Sequence, residues 1–162
     1  MSKTSDYEAF LDSKRQAAGD SGFDPSWVPD WLFDFQRDLV RWACRKGRAA
    51  IFADCGLGKT PMQLVWAQNV ISMTNKPVLI MAPLSASAQT VREAEKFCIP
   101  CLRSRDGWIG SDARIIVTNY EKLHLFNPDD FSGAVCDESS ILKNFEGATK
   151  AAITEFLRRM PY

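Results

Sequence analysis

The sequence predicts an α/β domain: a mostly parallel sheet with helices on both faces. Short apolar runs alternate along the chain with stretches whose apolar residues recur at helical spacing, joined by short links, which is how βαβ units read. Each apolar run ends in a polar or glycine-bearing loop, so the loops gather at the carboxyl ends of the strands, where open parallel sheets bind ligands. The length of 162 residues, 46% hydrophobic and 25% charged, suits one core.

In chain order, residues 1–31 read as an N-terminal extension. A polar stretch carries a weak apolar stripe (Tyr7, Phe10, Leu11), and a turn-rich stretch, 19–29, carries Phe23 and Trp27. Residues 32–162 form the domain. Over 32–46 the residues Phe35, Leu39, Trp42 and Ala43 recur at helical spacing, and Gly47 sits where a helix wants to end. Ala49-Ala50-Ile51-Phe52-Ala53 is the first expected strand, and Met62, Val65, Trp66 and Val70 mark the helix after it. Val78-Leu79-Ile80-Met81-Ala82 is the second strand, followed by a helix with Ala88, Val91, Ala94 and Cys98 on one face. Arg114-Ile115-Ile116-Val117-Thr118 and Ala134-Val135-Cys136-Asp137 are two more strands, and Ala148, Ala152, Phe156 and Met160 stripe a last helix.

Lys plus Arg equals Asp plus Glu at 20 each, so a grip on nucleic acid must come from a local patch rather than a global basic field. No apolar run approaches the roughly 20 residues that cross a bilayer, and the first residues lack the apolar core of a secretory signal. The expectation is a soluble, cytoplasmic protein with no membrane partner. The five cysteines are an odd set, best read as reduced thiols.

Ala53-Asp54-Cys55-Gly56-Leu57-Gly58-Lys59-Thr60 fits the Walker A pattern with alanine for its first glycine. Glycines let successive backbone N–H groups curl around phosphate oxygens, and the following helix offers its positive N-terminus. Asp54, Cys55, Gly56, Leu57, Gly58, Lys59 and Thr60 are therefore candidate nucleotide-binding residues. Lys59 is assigned to the β and γ phosphates of ATP, and the Thr60 hydroxyl to Mg²⁺. Pro61 is tolerated in the first helical turn, where no intrahelical partner for an N–H is needed. Downstream, Asp137-Glu138 follows a short apolar strand. Asp137 is the candidate metal-holding carboxylate, and Glu138 the candidate base that orients the attacking water.

With these residues in hand, the chain resembles the Swi/Snf-type ATPases among the superfamily 2 helicases, whose loop reads DEMGLGKT. Further segments match in order, together covering residue 32 to the C-terminus. Leu32-Phe33-Asp34-Phe35-Gln36 is similar to the family's Q motif, which implies that Gln36 reads the adenine edge. Residues 78–84 followed by Ser85 look like motif Ia, and Thr118-Asn119-Tyr120-Glu121 resembles a Thr-Thr-Tyr-Glu segment. The resemblance makes Pro83, Leu84, Ser85, Thr118, Asn119 and Tyr120 candidate contacts to a DNA backbone. Asp137-Glu138-Ser139-Ser140 stands in the place of the DEAH-type box, and Leu142-Lys143-Asn144 matches the tripeptide that often follows it. Three departures stand out: Ser139-Ser140 replaces Ala-His, Phe33 stands where many Q motifs carry arginine, and Gln63 is one position away from the family's GKT-x-Gln. One position turns a side chain by about 100° on a helix, so the role of that glutamine is not carried over.

The resemblance implies a RecA-like ATP-binding lobe, the first of two in a DNA-dependent ATPase or translocase. Nothing in these residues resembles the later motifs, so the second RecA-like lobe, with its arginine finger, is expected to be missing. An arginine finger is worth about 10³ to 10⁵ in rate, so the chain alone is expected to bind ATP and hydrolyse it poorly. The alternative is a stand-alone nucleotide switch completed by another chain; a P-loop kinase is disfavoured because no acceptor site or lid is evident. Cys98-Ile99-Pro100-Cys101 has redox spacing but follows a helix and leads toward a strand, the reverse of a thioredoxin-like junction. His124 has no evident ligand cluster. Phe23, Trp27 and Trp31 suit anchoring of the extension better than adenine stacking. Lys143, Lys150, Arg158 and Arg159 fit a DNA border or a solvated helix face equally well.

Overall fold

Four short runs make the sheet in the computed structural model, which describes residues 20–54, 56–110, 112–138 and 147–162. The expectations for Tyr7, Phe10, Leu11, Cys55, Ser139, Ser140, Leu142, Lys143 and Asn144 lie outside the described residues. The strands are β1 (Val78–Met81), β2 (Cys101–Arg103), β3 (Ile115–Thr118) and β4 (Gly133–Cys136), all parallel, in the order β2-β3-β1-β4. Val78 is in register with Ile115 on one side and Gly133 on the other. Every residue of β1 and β3 is buried, as inner strands covered on both faces must be, and this is why they read as unbroken apolar runs.

Alternation along the strands assigns the two faces. Val78, Ile80, Ile115 and Val117 pack on α2 (Lys59–Thr74) and α3 (Leu84–Lys96) through Leu64, Val70 and Ala94. Leu79, Met81 and Ile116 pack on the other side against Tyr120 and Leu123 of a 3₁₀ segment, Tyr120–Leu125, and against Ile153 and Phe156 of α4 (Gly147–Arg158). α2 is buried nearly all round because it is sandwiched: Leu64, Ala67 and Val70 meet the sheet, while Met62 and Val65 meet Val40 and Cys44 of α1 (Asp34–Lys46). Among the described residues, no helix is long and apolar enough to cross a membrane.

Several expectations need correction. The helices form, but two turn a different stripe inward and one departs from its expected stripe at a single described residue. In α1 the buried residues are Gln36, Val40, Ala43 and Cys44, while Phe35 and Trp42 stay exposed; the buried stripe is the one turned to α2, where Val40 and Cys44 meet Met62 and Val65. In α3, Ser87, Thr90 and Ala94 are buried and Cys98 is exposed. Of the stripe expected for α4, Phe156 and Met160 are buried as expected and Ala152 is exposed, with Ile153 buried beside them; the Ala148 side chain lies outside the described residues. The larger correction is Ala49–Ala53, which is not a strand. Phe52 is 93% exposed, and a cavity of about 490 Å³ lies between this segment and Val135 and Cys136 of β4. Apolar residues become a strand only beside a partner, and on this side the partner of β4 is the C-terminal residue: Tyr162 N–H donates to Ser132 O at 3.2 Å and Ala134 N–H donates to Tyr162 O at 3.1 Å.

Residues 20–31 are tied down at several points. Gly22 and Phe23 donate backbone N–H groups to Arg45 and Cys44 carbonyls at 3.0 and 2.9 Å, an approach so close that a Cβ on Gly22 would overlap the Cys44 carbonyl oxygen. Asn69 of α2 accepts from Trp27 N–H and donates to Trp27 O. Trp31 stacks on Phe97 at 4.1 Å, and Phe23 meets Tyr162 edge-on. These aromatics are structural anchors.

Candidate functional site

The glycine-rich loop enters α2 through two left-handed residues, Gly56 (φ 85°) and Gly58 (φ 70°), a conformation that costs an L-residue roughly 1–2 kcal/mol and glycine nothing. Gly58 is the N-cap of α2 and supplies no side-chain cap, so the first turn of the helix keeps its N–H donors for another acceptor. Lys59 Nζ lies over the loop, donating to the carbonyls of Ala53 at 3.0 Å and Asp54 at 3.2 Å. Leu57 N–H closes the loop on Asp54 O at 3.4 Å.

Gln36 buttresses that loop. It is the third residue of α1; its Oε1 accepts from Phe33 N–H at 3.0 Å, the backward half of a capping box, and its Nε2 donates to Leu57 O at 2.9 Å. It is 5% exposed, and its amide retains one N–H and one lone pair.

The acidic pair stands at the carboxyl end of β4. Asp137 N–H extends the ladder to Met81 O at 2.8 Å, and its own carbonyl accepts from Tyr120 Oη at 2.7 Å. Its side chain is held by Gln63 Nε2, which donates to Oδ1 at 2.8 Å. Gln63 is four residues beyond Lys59 and three beyond Thr60, hence on their face of α2, so this bond ties the acidic strand end to the first turn after the glycine-rich loop. Glu138 is exposed with φ 54°, a strained value for a non-glycine residue of the kind that collects at functional sites. Sequence reasoning set Gln63 aside; a partner 74 positions away leaves no local signal.

Among solved structures, the UvsW helicase from bacteriophage T4 is similar to this chain, with a TM-score of 0.68 at 14% identity over 87% of this chain and 53% of that one. The fold is that of a helicase RecA-like lobe. At this identity the likeness is one of fold, and the chain spans about half the length of the helicase it matches. No protein-family profile and no curated sequence matches it.

Farther along the carboxyl edge of this lobe, a second cavity of about 430 Å³ opens beyond β2 and β3. Arg103, Arg105 and Lys122 bring three positive charges to its wall, beside Ser104 and Asn119. Leu84 also borders it, while Ser85 is exposed one residue on and Pro83 is the N-cap of α3. Thr118 and Tyr120 do not present their hydroxyls outward: both are buried, Thr118 Oγ1 donates to Ser104 O at 3.1 Å, and Tyr120 Oη donates to Asp137 O. Burial also raises the Tyr120 phenol above its ordinary range, helped by the neighbouring Cys136 and Asp137. The basic residues were not singled out from sequence because β2, with its mixed Cys101-Leu102-Arg103, has no strand signature.

Other candidates resolve simply. Cys98 follows α3 and Cys101 opens β2; both are free thiols, and burial, then Glu95, pushes the Cys101 thiol up to about 12, the opposite of a reactive thiolate. His124 is exposed in the 3₁₀ segment, with Nδ1 2.9 Å from Glu121 O. No cluster of metal-ligating side chains occurs among the described residues.

Proposed function

We propose that this lobe binds Mg·ATP at the 54–60 loop and serves as the ATP-binding half of a Swi/Snf-like, DNA-dependent ATPase or translocase. The observation that carries it is the Gln63 bridge to Asp137, because it sets a carboxylate beside the helix turn that bears Lys59 and Thr60. The donor set suits Mg²⁺, which prefers hard oxygens: the Thr60 hydroxyl and Asp137, whose Oδ2 accepts no hydrogen bond among the described residues. Bound there, the metal neutralises charge on the β and γ phosphates.

The residues of the chain divide the remaining work. Phosphate oxygens replace the Ala53 and Asp54 carbonyls on Lys59 Nζ, exchanging neutral acceptors for charged and stronger ones. The free N–H donors of α2 and the loop cradle the phosphates. Gln36 offers its remaining donor and acceptor to the adenine edge while holding Leu57. Glu138 orients the attacking water. The basic cavity at Arg103, Arg105 and Lys122, with Ser85 and Asn119 nearby, is the stretch of carboxyl edge suited to a nucleic-acid phosphate. A second RecA-like lobe would complete the ATP site, and this lobe by itself should hold ATP and turn it over slowly.

Fluorescent-ATP titration tests the nucleotide reading: Lys59→Ala abolishes Mg²⁺-dependent binding, and undiminished binding by that variant refutes it. Single-stranded DNA titrated against salt tests the track. Arg103→Ala or Arg105→Ala should lower affinity and reduce the slope of log K against log salt by about 0.7 per lost phosphate contact; an unchanged slope removes this cavity from the DNA path.

A further inference from the structure

The Gln63–Asp137 bond has two ends, and only one is satisfied. A carboxylate accepts and does not donate, so the amide orientation is forced: the N–H side faces Asp137 and Oε1 faces away. That oxygen is buried and accepts no hydrogen bond among the described residues. A buried amide oxygen left so costs about 1–3 kcal/mol. A residue serving only to brace α2 against β4 needs the Nε2 bond alone, and the second buried polar atom would be pure cost. The oxygen belongs to a side chain that lines the 490 Å³ cavity together with Lys59 and Cys136, the residue before Asp137.

The chemistry of the residue type narrows the role. A lysine or arginine here would hold Asp137 too, but its charge would compete with a cation for the carboxylate. A neutral amide fixes one carboxylate oxygen and leaves the full negative charge for the metal. It also presents an acceptor on its far side, as outer-shell residues of metal centres do. We propose that Gln63 is a positioning residue of the metal centre: Nε2 holds Asp137 by one oxygen, and Oε1 accepts a hydrogen bond from a water of the Mg²⁺ shell. The inference rests on the Mg·ATP reading above and assigns Gln63 a function that its offset from the GKT-x-Gln pattern had left open.

The test compares Gln63→Met, which keeps the length of the side chain and loses both polar ends, with Gln63→Glu, which keeps an outer acceptor and sets a like charge against Asp137. Fluorescent-ATP affinity is measured across a Mg²⁺ titration and again in EDTA, and the thermal midpoint of the nucleotide-free protein is recorded. Gln63→Met should raise the Mg²⁺ concentration at half-maximal binding by about 10-fold or more, the range expected for outer-shell partners. The affinity in EDTA should stay unchanged, and the thermal midpoint should hold or rise. Gln63→Glu should raise the Mg²⁺ requirement further. A purely structural brace gives the opposite split, a lowered thermal midpoint with an unmoved Mg²⁺ midpoint, and that result overturns the proposal. Asp137→Asn separates the two levels of the argument. If it shifts the Mg²⁺ midpoint and Gln63→Met does not, the role of Gln63 alone fails; if neither shifts it, the metal reading fails as well.

Discussion

Substituting Gly58 probes how the glycine-rich loop is held. A Cβ built there falls well inside contact distance of the Gln36 amide nitrogen, and the backbone sits at φ 70°. The left-handed conformation costs alanine about 1 kcal/mol. The clash is with the far end of a side chain, so Gln36 can move, but moving it gives up its bonds to Phe33 N–H and Leu57 O, at about 1 kcal/mol each. Gly58→Ala should therefore cost about 3 kcal/mol, and Gln36→Ala about 2 kcal/mol plus the cavity it leaves. In the double variant the two hydrogen bonds can be lost only once. The combined cost should fall short of the sum by about 2 kcal/mol, a coupling well above the few tenths seen for independent sites. Urea unfolding of the four proteins with a common m-value measures it. Additive costs would mean that Gln36 does not meet the loop at Gly58, and the link between α1 and the glycine-rich loop would have to be abandoned.

Two further outcomes test the burial pattern. Burial pushes the Cys44 and Cys101 thiols up to about 12 and Cys136 to about 11, and holds Tyr120 above its ordinary range. Because each folded value lies above its unfolded one, the stability these groups contribute is complete below about pH 8 and is progressively lost as pH rises through 9 toward about 12. The urea midpoint should fall over that interval, and among these four described cysteines a thiol reagent should label exposed Cys98 first; a midpoint flat to pH 11 contradicts the burial. Phe52→Ser should leave stability within about 0.5 kcal/mol, as an exposed site does, whereas Ile80→Ala should cost about 2–5 kcal/mol. A loss of several kcal/mol on replacing Phe52 would restore the strand that the apolar run 49–53 suggests.

The parts of the fold legible in the sequence are those whose cause is local or repeated. β1 and β3 announce themselves because both faces are covered, so every residue must be apolar. β2 is invisible because it is a three-residue edge strand, half-buried throughout. Ala49–Ala53 misleads in the opposite direction: composition made it a strand, but strand formation depends on a neighbour, and the residue that reaches the β4 edge is Tyr162. Helix phase was legible for α2, where Met62, Val65 and Val70 are buried, but not for α1 and α3, for a related reason. Periodicity finds an apolar stripe, but which residues it turns inward depends on the neighbouring surface, and α1 turns Gln36 inward in preference to Phe35 because Leu57 offers the amide a partner.

The candidate site divides along the same line. Gly56 and Gly58 are legible because a left-handed turn into a helix imposes its residue type on the spot, and Asp137 is legible because it ends an apolar run. What joins them is not local. Gln63 and Asp137 meet only because α2 lies across β1 and β4, and a one-position offset from a family pattern says nothing about which side chain then reaches the carboxylate. The inward turn of Thr118 and Tyr120 follows the same logic: each hydroxyl finds a backbone carbonyl at a strand end, Ser104 O or Asp137 O, which satisfies the buried oxygen and withdraws it from the surface. The Tyr120 bond thereby ties the carbonyl of Asp137 to the 3₁₀ segment that carries Lys122 on the wall of the basic cavity.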